Sequence, residues 1–156
     1  MDISLRPLRD EDLDTLFLQA VDAESIRMAA FTPEDQTDRA AFDAKMARIR
    51  SDPTITHRAI VVDGRVAGTV ASFVVEGERE VTYWIDRSQW GRGIASAALR
   101  LLLEEVPERP IVGRAASDNT GSLRVLEKAG FRRVGVDRGF AHGRGVEVEE
   151  TILRLD

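Results

Sequence analysis

The chain has 156 residues, 43% of them hydrophobic, enough for one sizeable core and a single domain spanning 1–156. With no cysteine and only two histidines, His57 and His142, it excludes disulfides, thiolate zinc sites, a cysteine nucleophile and a multi-histidine metal site, so no metal is expected. A formal net charge of −5 argues against nucleic acid as a partner, and the absence of a long apolar run or an apolar N-terminal signal region argues for a cytoplasmic protein without a membrane partner.

Ile3 to Leu8 reads as a short opening strand. Asp10-Glu11-Asp12 then places negative charge where a helix begins, and Leu13, Leu16, Phe17 and Ala20 follow at helical spacing. Asp22 to Asp38 is less regular, with Pro33 marking a turn or a helix start. Helical spacing resumes from Ala40 to Arg50 through Phe42, Met46 and Ile49, and Pro53 stops it. His57 to Val62 and Val66 to Val75 are strands joined by the hairpin signal Asp63-Gly64. A second turn at Gly77-Glu78 leads into a strand from Val81 to Ile85, completing an antiparallel meander.

The pattern then changes. Ser88 to Ile94 is a glycine-containing loop that opens a helix from Ala95 to Glu105, ended by Pro107 and Pro110. Ile111 to Ala116 is a strand. Asp118 or Asn119 caps a helix running to Ala129, and Gly130 is its C-terminal stop. Val134 to Phe140 and Val146 to Leu155 close the chain as a strand pair around the turn His142 to Gly145. The predicted class is a mixed α/β domain, a largely antiparallel sheet with helices inserted late.

Trp90-Gly91-Arg92-Gly93-Ile94-Ala95-Ser96 joins an apolar strand to an apolar helix. Gly91 and Gly93 allow a ligand to approach the main chain, and a helix start offers N–H donors and a positive dipole end to a phosphate. Arg92 would add a charge-assisted contact. Ala95 and Ser96 are small enough not to obstruct it. An ordinary strand-to-helix turn would use the same glycines. The dinucleotide fingerprint is excluded because its third glycine is missing, and a P-loop because no Gly-Lys-Ser/Thr follows.

Tyr83-Trp84-Ile85-Asp86 followed by Trp90-Gly91-Arg92-Gly93-Ile94-Ala95 resembles the acetyl-CoA-binding motif of the GNAT acetyltransferase superfamily, with Trp90 standing where Gln or Arg is usual. Asp118-Asn119-Thr120-Gly121-Ser122, continuing through Leu126-Glu127-Lys128-Ala129-Gly130-Phe131, is similar to a second motif of the branch containing ribosomal-protein N-terminal acetyltransferases. The resemblance is strong from about Glu80 to Phe140 and weaker before it. It implies a GNAT-like acyl-CoA N-acyltransferase fold, acetyl-CoA as co-substrate, a primary amine as acceptor and direct acetyl transfer between them. A homodimer is left open. A non-catalytic acyl-CoA-binding or sensor domain on the same fold is the alternative.

The resemblance also implies that two neighbouring parallel strands, here Val81 to Ile85 and Ile111 to Ala116, splay apart to admit the pantetheine arm. The backbone of Trp84 and Ile85 would hold that arm and polarise the thioester carbonyl. Trp90, Gly91, Arg92, Gly93, Ile94, Ala95 and Ser96 would bind the pyrophosphate. Asn119 would bond the pantetheine side, with a plain helix N-cap as the other reading. Ser122 would bind the cofactor arm or protonate the leaving sulfur, and Lys128 would meet a CoA phosphate or simply be solvated. Many members of the superfamily carry a tyrosine acid seven residues after the asparagine. Leu126 stands there in this chain, whose one tyrosine is Tyr83. Glu80, expected just before its strand, is the preferred general base, against the alternative of a solvent-facing glutamate. His57 and His142 are weaker candidates. Asp22 to Asp38 and Gly139 to Val148 are expected to shape the acceptor site, and their charges would suit a cationic amine.

Overall fold

The computed structural model describes all 156 residues, Met1–Asp156. Its framework is one seven-stranded sheet in the order β1-β2-β3-β4-β5-β7-β6. The strands are β1 (Ile3–Pro7), β2 (Thr56–Val62), β3 (Arg65–Val75), β4 (Glu78–Ile85), β5 (Ile111–Ala116), β6 (Arg132–Ala141) and β7 (Val146–Leu155). Every neighbouring pair is antiparallel except β4 and β5. This mixed sheet with flanking helices is the expected class.

The helices are α1 (Leu13–Ala20), α2 (Ala23–Ala29), α3 (Arg39–Ser51), α4 (Ile94–Glu105) and α5 (Thr120–Lys128). None is long and apolar enough to cross a membrane. Apolar residues alternate along the strands, so each face of the sheet carries its own packing surface. On one face Ile94, Ala98, Leu99 and Leu102 of α4 and Leu123 and Leu126 of α5 pack with Ile60, Val70, Val81 and Ile111 in the main core. On the other, Leu16 of α1 and Met46 of α3 cover Leu8 and Ala59.

Three local readings of the sequence need correction. The segment Asp22 to Asp38 contains the helix α2. Asp22 starts it by accepting a hydrogen bond from the Ser25 amide (3.0 Å), and a helix of seven residues is too short to show an apolar period. The second hairpin turn lies on Glu76 and Gly77, at φ 51° and 78°, instead of Gly77-Glu78. Strand β4 therefore begins at Glu78, and Glu80 lies inside it. The last pair is longer than expected, with β6 starting at Arg132.

Candidate active site

β4 and β5 are paired only through Glu80↔Val112 and Val81↔Gly113. Beyond those pairs β4 continues to Ile85 along β3, and β5 continues to Ala116 along β7. The two strands therefore part and leave backbone polar groups facing each other across a gap. A cavity of about 660 Å³ occupies this region, lined among others by Glu80, Tyr83, Trp84, Gly93, Arg114 and Ser122. Gly113 lets α5 approach β5 closely, since a Cβ there would lie 2.5 Å from a methyl carbon of Leu126. That approach brings the start of α5 to the cavity.

The loop before α4 forms one wall. Gly91 and Gly93 have φ of 76° and 78°, in the left-handed region that favours glycine, and Gly93 is the helix N-cap. The first amide of the helix to find an intrahelical acceptor is that of Ala97, which bonds Gly93 O at 3.1 Å. The amides of Gly91, Arg92, Gly93, Ile94, Ala95 and Ser96 have no protein acceptor. Ile94 is buried in the core, which fixes the direction of this run of donors. No atom lies within 4 Å of a Cβ built on Gly91 or Gly93, so the space over the loop is open. This is a backbone cradle suited to a pyrophosphate.

Side chains of the same loop behave differently. The Trp90 indole donates to Ile85 O (2.9 Å), fastening the loop to the end of β4 and occupying the carbonyl of one of the two residues expected to hold the pantetheine. The Arg92 guanidinium bonds the Gln89 side chain, and Arg92 does not line the cavity. On β4, side chains alternate between the two faces. Trp84 donates its indole N–H to Gln19 O of α1 (3.0 Å), whereas Tyr83 points toward α5.

Asn119 caps α5, accepting from the Ser122 amide (3.2 Å), while its Nδ2 donates to Met28 O of α2 (3.3 Å). It therefore acts as a cap and also joins two helices at the cavity, keeping one amide N–H for a ligand. Ser122 Oγ lies 2.6 Å from the hydroxyl of Tyr83, which is also 3.2 Å from Ser122 O. Burial pushes the Tyr83 phenol up to about 12, so it remains a proton donor at neutral pH. Sequence reasoning correctly placed no tyrosine on α5, and missed that Tyr83 reaches the same helix from β4. Lys128 stands at the far end of α5, exposed and outside the cavity lining.

Glu80 is only 9% exposed, which replaces the solvent-facing reading. Its Oε1 lies 3.1 Å from Arg114 Nε, and Arg114 Nη1 is 3.3 Å from Oε1 of Glu150 on β7. Burial raises the pKa of Glu80 and the nearby charges of Glu78 and Glu150 add to that, while Arg114 opposes them. Glu150 is raised by burial in the same way. Neither histidine lines the cavity. His57 is pushed down to about 4, chiefly by burial, and its Nδ1 has no hydrogen-bond partner. His142 packs edge-on against Phe140, with ring centroids 5.1 Å apart.

The segment Asp22 to Asp38 does line the cavity, through Met28, Phe31 and Thr32 among others, but Gly139 to Val148 does not. Two carboxylates of the first segment are committed elsewhere: Asp22 pairs with Arg87 and Glu24 with Arg27. The acidic groups on the cavity wall are Glu80 and Glu150, drawn from β4 and β7.

The parted strand pair, the amide cradle at the start of α4 and the capped start of α5 define an N-acyltransferase architecture of the GNAT type. A family model described as an acetyltransferase (GNAT) domain matches residues 2–132, and the chain belongs to that family. It is 33% identical over 101 residues to a Bacillus subtilis (strain 168) protein described as a probable N-acetyltransferase, YjcK, a match covering 60% of this chain and 56% of that protein. The match thus spans little more than half of that relative. A Bacillus licheniformis protein described as an uncharacterized N-acetyltransferase, p20, is 24% identical over 163 residues, 98% of this chain and 92% of its own. Among solved structures, Mycobacterium smegmatis RimJ in complex with CoA-disulfide superposes with a TM-score of 0.83 at 22% identity, covering 98% of this chain and 81% of that one.

Proposed function

We propose that this protein moves the acetyl group of acetyl-CoA to a primary amine by direct attack of the amine nitrogen on the thioester carbonyl. The observation that carries this reading is the run of six amides without a protein acceptor, Gly91 to Ser96, opening beside the gap between β4 and β5. The cradle binds the pyrophosphate and the unpaired edge of β4 binds the pantetheine. Main-chain donors do most of the work, which is why Trp90 can stand where a polar side chain is usual and why Arg92 can turn toward Gln89.

Glu80 takes the proton that the amine loses as the new C–N bond forms. The C–S bond breaks, and the departing sulfur receives its proton from the side of Ser122, whose hydroxyl Tyr83 orients. The cavity wall carries Glu80 and Glu150 together with Arg114 and Lys45, so the preference for an amine that is cationic in solution rests on the local carboxylate of Glu80 and not on net charge. Peptide N-termini, polyamines and aminoglycosides all have that character.

The test is a panel of these amines incubated with acetyl-CoA, with release of the free CoA thiol and mass of the acetylated product as readouts. Turnover with at least one amine is expected. Tight acetyl-CoA binding with no product from any amine would assign the protein to the sensor alternative.

A further inference from the structure

Arg114 is the first residue of β5 beyond its last pairing with β4, and Glu80 belongs to the first of the two residue pairs that join the strands before they part. The guanidinium reaches back across the opening to Glu80 (3.1 Å) and sideways to Glu150 on β7 (3.3 Å). Glu78 and Asp137 lie farther out, at 3.7 and 3.9 Å from its terminal nitrogens. Glu80, Arg114 and Glu150 all line the cavity, and Lys45 of α3 lines it without joining this network. A single cation shared among several carboxylates at the parting of two strands is more than a surface ion pair. The side chains of Glu80, Arg114 and Glu150 are 12%, 31% and 18% exposed, so water screens them incompletely.

We infer that Arg114 is a positioning residue for Glu80, holding that carboxylate across the mouth of the strand gap, with Glu150 as the counterweight that fixes the guanidinium. This rests on Glu80 as the proton acceptor. Arg114 favours the ionised form of Glu80, and Glu150 favours the protonated form both by its own charge and by competing for the same cation. The two neighbours therefore act on Glu80 in opposite directions.

The test is carboxyl 13C NMR titration of the whole protein labelled at glutamate Cδ, with the Glu80 signal assigned through Glu80→Gln. Arg114→Met should move the Glu80 midpoint up by about one pH unit or more, the scale set by a near opposite charge. Glu150→Gln should move it down. The acid limb of kcat, measured with whichever amine of the panel is acetylated, should move in the same sense in each variant. Arg114→Lys should restore part of the shift.

A Glu80 midpoint unchanged in both variants, or moved the same way in both, overturns the inference. If Arg114→Met does not fold, the direction of the Glu150→Gln shift decides. Failure of the underlying reading looks different: Glu80→Gln would then retain full kcat and an unaltered acid limb, whatever the NMR midpoints do.

Discussion

Tyr83 on β4 and Ser122 on α5, separated by 39 positions in sequence, place their hydroxyls 2.6 Å apart on the wall of the cavity. Strand alternation turns Tyr83 toward α5, and the Asn119 cap fixes the first turn of that helix.

That pair yields the first prediction. Ser122→Ala should lower kcat about tenfold or more if the serine hydroxyl supplies or orients the proton for sulfur. Tyr83→Phe should lower kcat in the same direction by a smaller factor, and in both variants kcat should fall by more than acetyl-CoA binding weakens. Steady-state kinetics alongside calorimetric acetyl-CoA titration separates the two quantities. Equal kcat in Ser122→Ala would leave the serine as a first-turn residue without catalytic duty. Loss of the hydrogen bond in Tyr83→Phe should cost about 1 kcal/mol of stability.

Gly93→Val tests the cradle. The backbone there has φ 78°, so the substitution introduces strain of about 1–3 kcal/mol even though no atom stands in the way of a Cβ. The fold should survive, and thermal melting would register the strain. The valine would occupy the open space over the amides. Losing even one charge-assisted hydrogen bond weakens acetyl-CoA binding by about tenfold or more. Unchanged affinity in the folded variant would remove this loop from the cofactor site.

Glu80→Gln keeps the side chain's shape and removes the base. A large fall in kcat at neutral pH is expected, partly recovered at high pH where free amine is abundant. In the wild-type protein activity should fall with decreasing pH through the raised pKa of Glu80, because only the ionised carboxylate accepts a proton. A constant ratio of variant to wild-type rates across pH would make Glu80 a positioning group instead. The same raised pKa has a consequence for folding. Its contribution to stability is present below the ordinary carboxylate range and is lost as pH rises through the folded-state value.

A fourth prediction concerns the ion pair that joins β1 to the start of α1. Arg6 on β1 makes two bonds to Asp12, at 2.7 and 2.8 Å, and Asp12 also accepts from the Arg9 amide at 2.8 Å. Asp12 is 4% exposed, and its bond to Arg6 is the main cause of a lowered pKa. The stability it contributes is therefore present above the ordinary carboxylate range and lost as pH falls through the lowered folded-state value. Asp12→Asn should destabilise the protein by about 3 kcal/mol, the scale for breaking a buried pair. Urea unfolding at pH 7 and at successively lower pH checks both statements, the gap between variant and wild type narrowing once the pH drops below the ordinary carboxylate range.

The sequence by itself made most of the elements legible, α2 excepted, and singled out the loop and the helix cap proposed to hold the cofactor. Gly91 and Gly93 before an apolar helix, and Asn119 three residues before Ser122, are local signals: backbone freedom and helix capping depend on residues within one turn of chain. The splayed strand pair followed from family resemblance and is met in the pairing of β4 with β5. Only the tertiary structure decided the rest. The contact of Tyr83 with Ser122, the burial of Glu80, and the bridge from Arg114 to Glu80 and Glu150 each join strands or helices far apart in sequence. Sequence periodicity tells which side chains share a face of a strand, but sheet order decides which strands lie side by side. β7 lies next to β5 only because the final hairpin inserts it there, and that placement brings Glu150 to the arginine facing Glu80.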